Sequence, residues 1–248
     1  MRLLLSYILS LCLALTPMQG VGGNAGVGGK AGFGGGTGGG SIKSYIQNVF
    51  VAGTGSAVTS TQTPAFGSAN TAGNTILVGI ESGASSATSI TGCSDLQGNT
   101  YAVDSNALET SSGAAQVAVA RASNIIGGSA NKVTCTSSAA QTFFSVYAEE
   151  INQNLTLDGS PVSGVTASPA TANSLTISTS VTHDLIFYAA NWNQSHGTGS
   201  AGTNFTQHNP SADGFEDWVN VSSTGSQTAA YSWTGTTTNS VAIAVAYK

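Results

Sequence analysis

Charge is scarce in this sequence. Asp, Glu, Lys and Arg make up 7% of its 248 residues, against about 25% in an ordinary soluble domain. Six residues are Lys or Arg, and the formal net charge is −5. Nucleic-acid binding needs several cations to neutralise phosphates, and the chain has neither a Lys/Arg run nor a basic patch with interleaved aromatics. A Lys/Arg-driven grip on anionic lipid is excluded for the same reason. Cysteine is scarce too, at three residues, with no Cys-x-x-Cys pair that would announce a zinc site. The three histidines, His183, His196 and His208, fit no zinc spacing. His196 and His208 lie among Gly, Ser and Asn and read as solvated loop residues. No Gly-x-Ser-x-Gly elbow is present, so a serine hydrolase of that type is excluded. No run of eighteen or more apolar residues occurs, so the mature chain is expected to have no membrane span.

What is there instead is Ser, Thr, Asn, Gln and Gly. They give a neutral surface rich in hydroxyls and amides, which suits contact with glycans outside a cell and equally suits compositional drift in a low-charge lineage. The N-terminus reads as an address. Arg2 precedes an apolar run over 3–15, too short to span a bilayer and right for a signal segment, so residues 1–20 are expected to be a signal peptide. Two cleavage positions compete, after Gly20 and after Ala25. Leu11 stands where a lipidated Cys12 would need a small residue. Residues 21–40 are a glycine-rich linker that cannot repay the entropy of ordering, with a root-mean-square reach of about 25 Å. No strand precedes it and no helix with Lys-Ser/Thr follows, so it is not a phosphate loop.

From residue 41 onward, short runs of β-branched and aromatic residues alternate with Gly, Asn, Ser and Asp, and no helical periodicity appears. Strands are expected at 45–52, 75–81, 116–122, 132–136, 142–151, 174–178, 184–190, 217–222, 228–234 and 240–247. The last alternates large residues (Val241, Ile243, Val245, Tyr247) with Ala242, Ala244 and Ala246, so it should be central, with another layer close against its alanine face. Asp95-Leu96-Gln97-Gly98-Asn99 reads as a hairpin turn. The connections 155–162 and 193–204 are too long for hairpins and read as crossovers between sheets. The length suits one large β domain or two small ones. The expected fold is an all-β, two-sheet antiparallel β-sandwich of jelly-roll type, one domain over 41–248.

Several blocks then carry a resemblance. They are Asn74-Thr75-Ile76-Leu77-Val78-Gly79-Ile80, Asp95-Leu96-Gln97-Gly98-Asn99-Thr100-Tyr101, Gly128-Ser129-Ala130-Asn131-Lys132-Val133-Thr134, Glu149 ahead of Asp158-Gly159-Ser160, Asp184-Leu185-Ile186-Phe187, and the closing segment from Ser240 to Lys248. In their order and spacing, over about 49–248, the chain resembles bacterial extracellular β-sandwich modules. These modules often stand in tandem in large surface proteins and are related in shape to lectin-like jelly rolls. The resemblance implies a secreted or wall-associated protein of poorly defined role, for which glycan binding or adhesion is suspected, and it supplies no catalytic residues.

The candidate chemistry is modest. Cys93 and Cys135, both at strand-like positions, are expected to form a disulfide or to stay as buried thiols; a bridge over about forty residues contributes about 3–4 kcal/mol. Glu149 and Glu150 are adjacent on a strand and point to opposite faces. One should face inward and bond, with Arg121 as a partner. A glycosidase pair built from either of them with Asp184 is geometrically allowed, but no motif marks it. Structural calcium is a minor possibility: Asp95, Asn99 and Asp104 offer oxygens within ten residues, as do Asp213, Glu216 and Asp217, yet Asp and Asn in turns usually serve the turn. Trp192, Trp218 and Trp233, with Tyr188 and Tyr231, all fall in the last third. Trp192, flanked by Asn191, Asn193 and Gln194, has the composition of a sugar-stacking site, while Trp218 and Trp233 read as core. The expected function is therefore a non-catalytic extracellular binding or adhesion module, with carbohydrate as the ligand class. A structural surface or virion-decorating protein acting through protein contacts, and a carbohydrate-active enzyme, are the alternatives.

Overall fold

The computed structural model describes residues 40–84, 90–110, 114–192, 197–209, 214–235 and 238–248. The expected signal peptide, nearly all of the glycine linker, and Asn193, Gln194, His196 and Asp213 lie outside the described residues. The described chain belongs to one compact unit over Thr37–Lys248. It is all-β and antiparallel, and none of its segments is a helix long and apolar enough to cross a membrane.

Fifteen strands are described, falling into two consecutive sets. The first set runs β1 (Tyr45–Val51), β2 (Val58–Gln62), β3 (Thr75–Ala84), β4 (Ile90–Asp95), β5 (Ala102–Glu109), β6 (Ala114–Ala122), β7 (Val133–Gln141) and β8 (Phe144–Ile151). It forms a main sheet in the order β1-β8-β3-β6-β5 and an outer sheet β2-β7-β4. The second set runs β9 (Val162–Ala170), β10 (Ala172–Thr179), β11 (Asp184–Trp192), β12 (Gly199–Ala201), β13 (Phe215–Val221), β14 (Gly225–Trp233) and β15 (Thr238–Tyr247). Its main sheet is β9-β15-β11-β13 and its outer sheet β10-β14-β12.

The two orders are the same order. β9 corresponds to β1, β10 to β2, β11 to β3, β12 to β4, β13 to β6, β14 to β7 and β15 to β8. In each set four strands lie side by side, β1-β8-β3-β6 in the first and β9-β15-β11-β13 in the second, and a three-stranded sheet covers them, which is the jelly-roll winding. β5 has no strand counterpart; its place beside β6 is taken in the second set by an isolated bridge from Thr206 to Asp217 of β13. The expected two-sheet sandwich is present where the main sheets meet, and an outer sheet covers the far face of each.

Three apolar layers fill the spaces between these four sheets. The central one joins the main sheets, with Leu77, Val117, Val119 and Tyr147 against Phe187, Phe215, Val241 and Ile243. Ile76, Val78, Ile80, Val133 and Cys135 fill the first outer space, and Tyr188, Trp192, Tyr231 and Trp233 the second. β8 and β11 are buried at every position, because both of their faces meet another sheet. β15 is interior to its sheet as expected. Its large residues enter the central layer, while Ala242, Ala244 and Ala246 face the outer sheet.

The turn at Asp95–Asn99 is not a hairpin. β4 belongs to the outer sheet and β5 to the main one, so this turn is a crossover. The connections after β8 and after β11 do change sheets, as expected. β2, β9 and β12, unanticipated from the sequence, are all edge strands with few buried side chains, so their apolar alternation is weak. Cys93 and Cys135 lie directly opposite on β4 and β7 and are disulfide-bonded.

Candidate functional site

Polar groups gather at two kinds of place: between the jelly rolls and on the outer sheet faces. Between them, Tyr147 and Glu149 leave β8 on the same face, two residues apart, and both are buried. The Tyr147 hydroxyl donates to Glu149 Oε2 at 2.8 Å. From the second jelly roll, Asp217 of β13 is buried beside them. Thr206 exchanges two backbone hydrogen bonds with Asp217, at 2.8 and 3.1 Å. This pins the segment after β12 against β13 and delivers His208, whose Nε2 lies 2.9 Å from Asp217 Oδ1. The imidazole stacks on Tyr45 at the start of β1, with centroids 3.6 Å apart and planes 7° from parallel.

One donor atom from each of Glu149, His208 and Asp217 lies within 4.8 Å of the other two. Burial drives the Glu149 carboxyl well above the usual carboxylate range, and the Asp217 charge adds to this; the Tyr147 bond acts the other way. Burial also raises Asp217, against the hydrogen bond and charge of His208. The Tyr147 phenol is raised by burial and by the nearby Glu149. The cluster can therefore hold a shared proton or a cation.

His208 is thus not a solvated loop residue; its side chain is 17% exposed and engaged on both sides. Both glutamates, Glu149 and Glu150, are buried, not one of them, because each face of β8 meets another sheet, and Arg121 partners neither. Arg121 pairs instead with Asp104, Nε to Oδ2 at 3.0 Å. Glu150, on the opposite face, accepts from Gln47, Asn70, Asn74 and the Thr71 amide, and these bonds hold its carboxyl below the usual range against burial. Asp184 stands apart from both glutamates, beside Asp158.

The calcium set is not assembled. Asp95 accepts from the amides of Gln97 and Asn99 and from the side chains of Asn99, Tyr101 and Asn131, all between 2.7 and 3.1 Å. Its lone pairs are taken by the turn it organises. Asp104 is bound to Arg121 and to the Tyr247 hydroxyl. In the second acidic group, Glu216 and Asp217 are neighbours on one strand and point to opposite faces. Trp192 is 9% exposed, with Tyr231 at 5.5 Å and Trp233 edge-on at 5.0 Å. Asn191 is buried and donates across the central layer to the carbonyls of Ser82 and Gln116 at 2.9 and 2.7 Å. Trp233 is core, and Trp218 packs against the same layer.

The outer sheets present a different surface. β10, β12 and β14 contain no charged residue. Ser174, Thr176 and Ser178 of β10, Ser226, Thr228 and Ser232 of β14 and Ser200 of β12 are exposed. Thr176 faces Thr228, Ser178 faces Ser226 and Ser200 faces Ser232 across the strands. Among the described residues, none of these seven hydroxyls has a side-chain hydrogen-bond partner. On the first outer sheet the hydroxyls are partly spent on one another: Thr91 with Thr136 at 2.8 Å, and Gln62 to Thr134 at 2.9 Å. Comparison with protein-family models, with curated proteins and with solved structures finds no match for this chain.

Proposed function

We propose that the protein is an exported, non-catalytic surface module that binds neutral carbohydrate through the outer face of its second jelly roll. The observation that carries this reading is the set of seven exposed, unspent hydroxyls on β10, β14 and β12, six of them in cross-strand pairs, with no charge among them. Such a face offers donors and acceptors in rows about 4.8 Å apart, each hydroxyl able to do both. A neutral polyhydroxyl ligand exchanges hydrogen bonds with it and strands no buried charge. Catalysis finds less support. Glu149 and Asp217 are each 1% exposed, so a polymer substrate does not reach the carboxylate pair. Export is supported by the disulfide, which persists in oxidising compartments.

The test is a glycan-array screen of the purified protein, beside a Thr176→Glu/Thr228→Glu variant whose folding is checked by thermal melting. Saturable binding, lost at least tenfold (about 1.4 kcal/mol) in the folded variant, is the expected result. A folded wild-type protein that binds no glycan overturns the reading. It would move weight to protein contacts at the tip where Leu96 and Ile126, 60% and 58% exposed, flank Asn99.

A further inference from the structure

We propose that Glu149, Asp217 and His208 form a divalent-cation site, of the zinc class, that clips the two jelly rolls together. Three independent observations meet there. The donor atoms of the three side chains already lie within 4.8 Å of one another. Glu149 Oε1 and Asp217 Oδ2 are buried with no hydrogen-bond partner, although both residues are 1% exposed. A buried anionic oxygen without a partner is strongly unfavourable. Finally, no lysine or arginine answers these carboxylates: among the described residues the ion pairs other than His208–Asp217 are Arg121–Asp104 and Lys248–Asp158. A dication balances the two negative charges and gives the orphaned oxygens a partner.

The donor chemistry selects the ion. Two carboxylate oxygens and one imidazole nitrogen suit zinc, which accepts mixed nitrogen and oxygen ligands in a small coordination number. Calcium asks for six to eight oxygens and does not favour imidazole. On binding, His208 Nε2 turns its lone pair to the ion and any proton it carries leaves to solvent. The proton that the carboxylates share leaves as well, and Asp217 exchanges its contact with His208 Nε2 for a share of the ion.

The surroundings are those of a supported ligand set. The Tyr147 hydroxyl fixes Glu149 from Oε2, leaving Oε1 for the ion. The Thr206 bridge fixes Asp217, and the Tyr45 ring fixes the plane of His208. Glu149 and Tyr45 come from the first jelly roll, and Asp217 and His208 from the second. The edge of His208 that stays exposed, 17% of its side chain, gives an ion a way in.

The test uses the full chain, stripped with EDTA and titrated with zinc alone. One equivalent bound per chain, with a melting temperature that rises on zinc addition and falls again with EDTA, is expected. His208→Ala should weaken zinc binding by at least about tenfold, the loss that even outer-shell changes cause, while Tyr45→Phe keeps the one-to-one stoichiometry. Glu149→Gln should abolish binding. If that variant fails to fold, His208→Ala, at a partly exposed position, carries the test. A folded wild-type protein that takes up no zinc, or a His208→Ala variant that binds it as tightly as wild type, overturns the proposal and leaves the carboxylates sharing a proton.

Discussion

Replacing Gly79 by alanine tests how tightly the two jelly rolls are packed. Gly79 lies on β3, facing the second main sheet. A Cβ added there would sit 2.3 Å from Phe215 Cδ1, 2.4 Å from Cε1, and 3.3 Å from Phe187 Cζ. Ordinary carbon contacts are about 3.5–4.0 Å, so the Phe215 ring must retreat by more than about 1 Å. It cannot do so freely, being 1% exposed and stacked on Tyr147 at 5.4 Å. Overpacking of this kind costs about 1–3 kcal/mol. Gly79 is not in the left-handed region, so alanine also reduces unfolded-chain entropy and recovers about 0.4–1 kcal/mol. The expected net loss is about 1–2 kcal/mol, or about 2–8 °C in melting temperature for a chain of this size. Urea unfolding measures it as a lower midpoint at unchanged m. The second arm adds Phe215→Leu. On the Gly79→Ala background this change should cost less than on wild type, with a coupling of about 0.5–3 kcal/mol. A Gly79→Ala protein as stable as wild type, or costs that simply add, would refute the described contact between the main sheets.

Three further outcomes follow from the same packing. Cys135→Ser should lower stability by about 3–4 kcal/mol, and wild-type protein unfolded in reductant should show the same shift in urea midpoint. Asp184 is pushed up to about 7 by burial and by the adjacent Asp158, while Asp158 is held to about 2 by Ser180, Asp184 and Lys248 against its own burial. Both acids titrate near 3.8 when unfolded, so the pair is most stabilising near that pH. Above it the unfolded chain loses a proton that Asp184 retains, so stability falls as pH rises toward 7, by at most about 1.4 kcal/mol per unit. Below it the unfolded chain gains a proton that Asp158 refuses, and stability falls again toward pH 2. The urea midpoint of Asp184→Asn should lack the fall between pH 4 and 7 that wild type shows; an identical slope in the two proteins would refute the pairing. Arg121→Lys should cost about 1.5–3 kcal/mol, because lysine cannot make the fork to Asp104 while also reaching the Leu155 carbonyl. A chemical-denaturation difference within 0.5 kcal/mol, about the size of a neutral surface change, would contradict that role.

Local pattern was enough for the strand class and for the centre of the sheets. Runs such as 144–151 and 184–192 carry large apolar residues on both faces, and the large–alanine alternation of 241–247 already marks a central strand with a close neighbour. Edge strands such as Val58–Gln62 and Gly199–Ala201 carried too little apolar signal, because they bury little. The repeat is not legible in the sequence because each winding preserves strand order and burial, not residues: Thr75–Ala84 of β3 and Asp184–Trp192 of β11 hold the same place in the winding with different side chains. The crossover at Asp95–Asn99 uses the same turn residues as a hairpin, and only the sheet to which β5 returns distinguishes them.

The sequence by itself determined an all-β chain, its buried central strands, the opposite facing of Glu149 and Glu150 and two cysteines at strand positions, since each depends on residues close together along the chain. Tertiary structure alone decided that two jelly rolls stand face to face, that Cys93 opposes Cys135, and that Asp217 and His208 come to Glu149 from across the interface. Cys93 and Cys135 stand 42 residues apart and the other partners further, and each pairing is set by which sheet each strand joins. No spacing in the chain encodes them, because the distance between two side chains across a sandwich is fixed by winding and not by the count of residues between them.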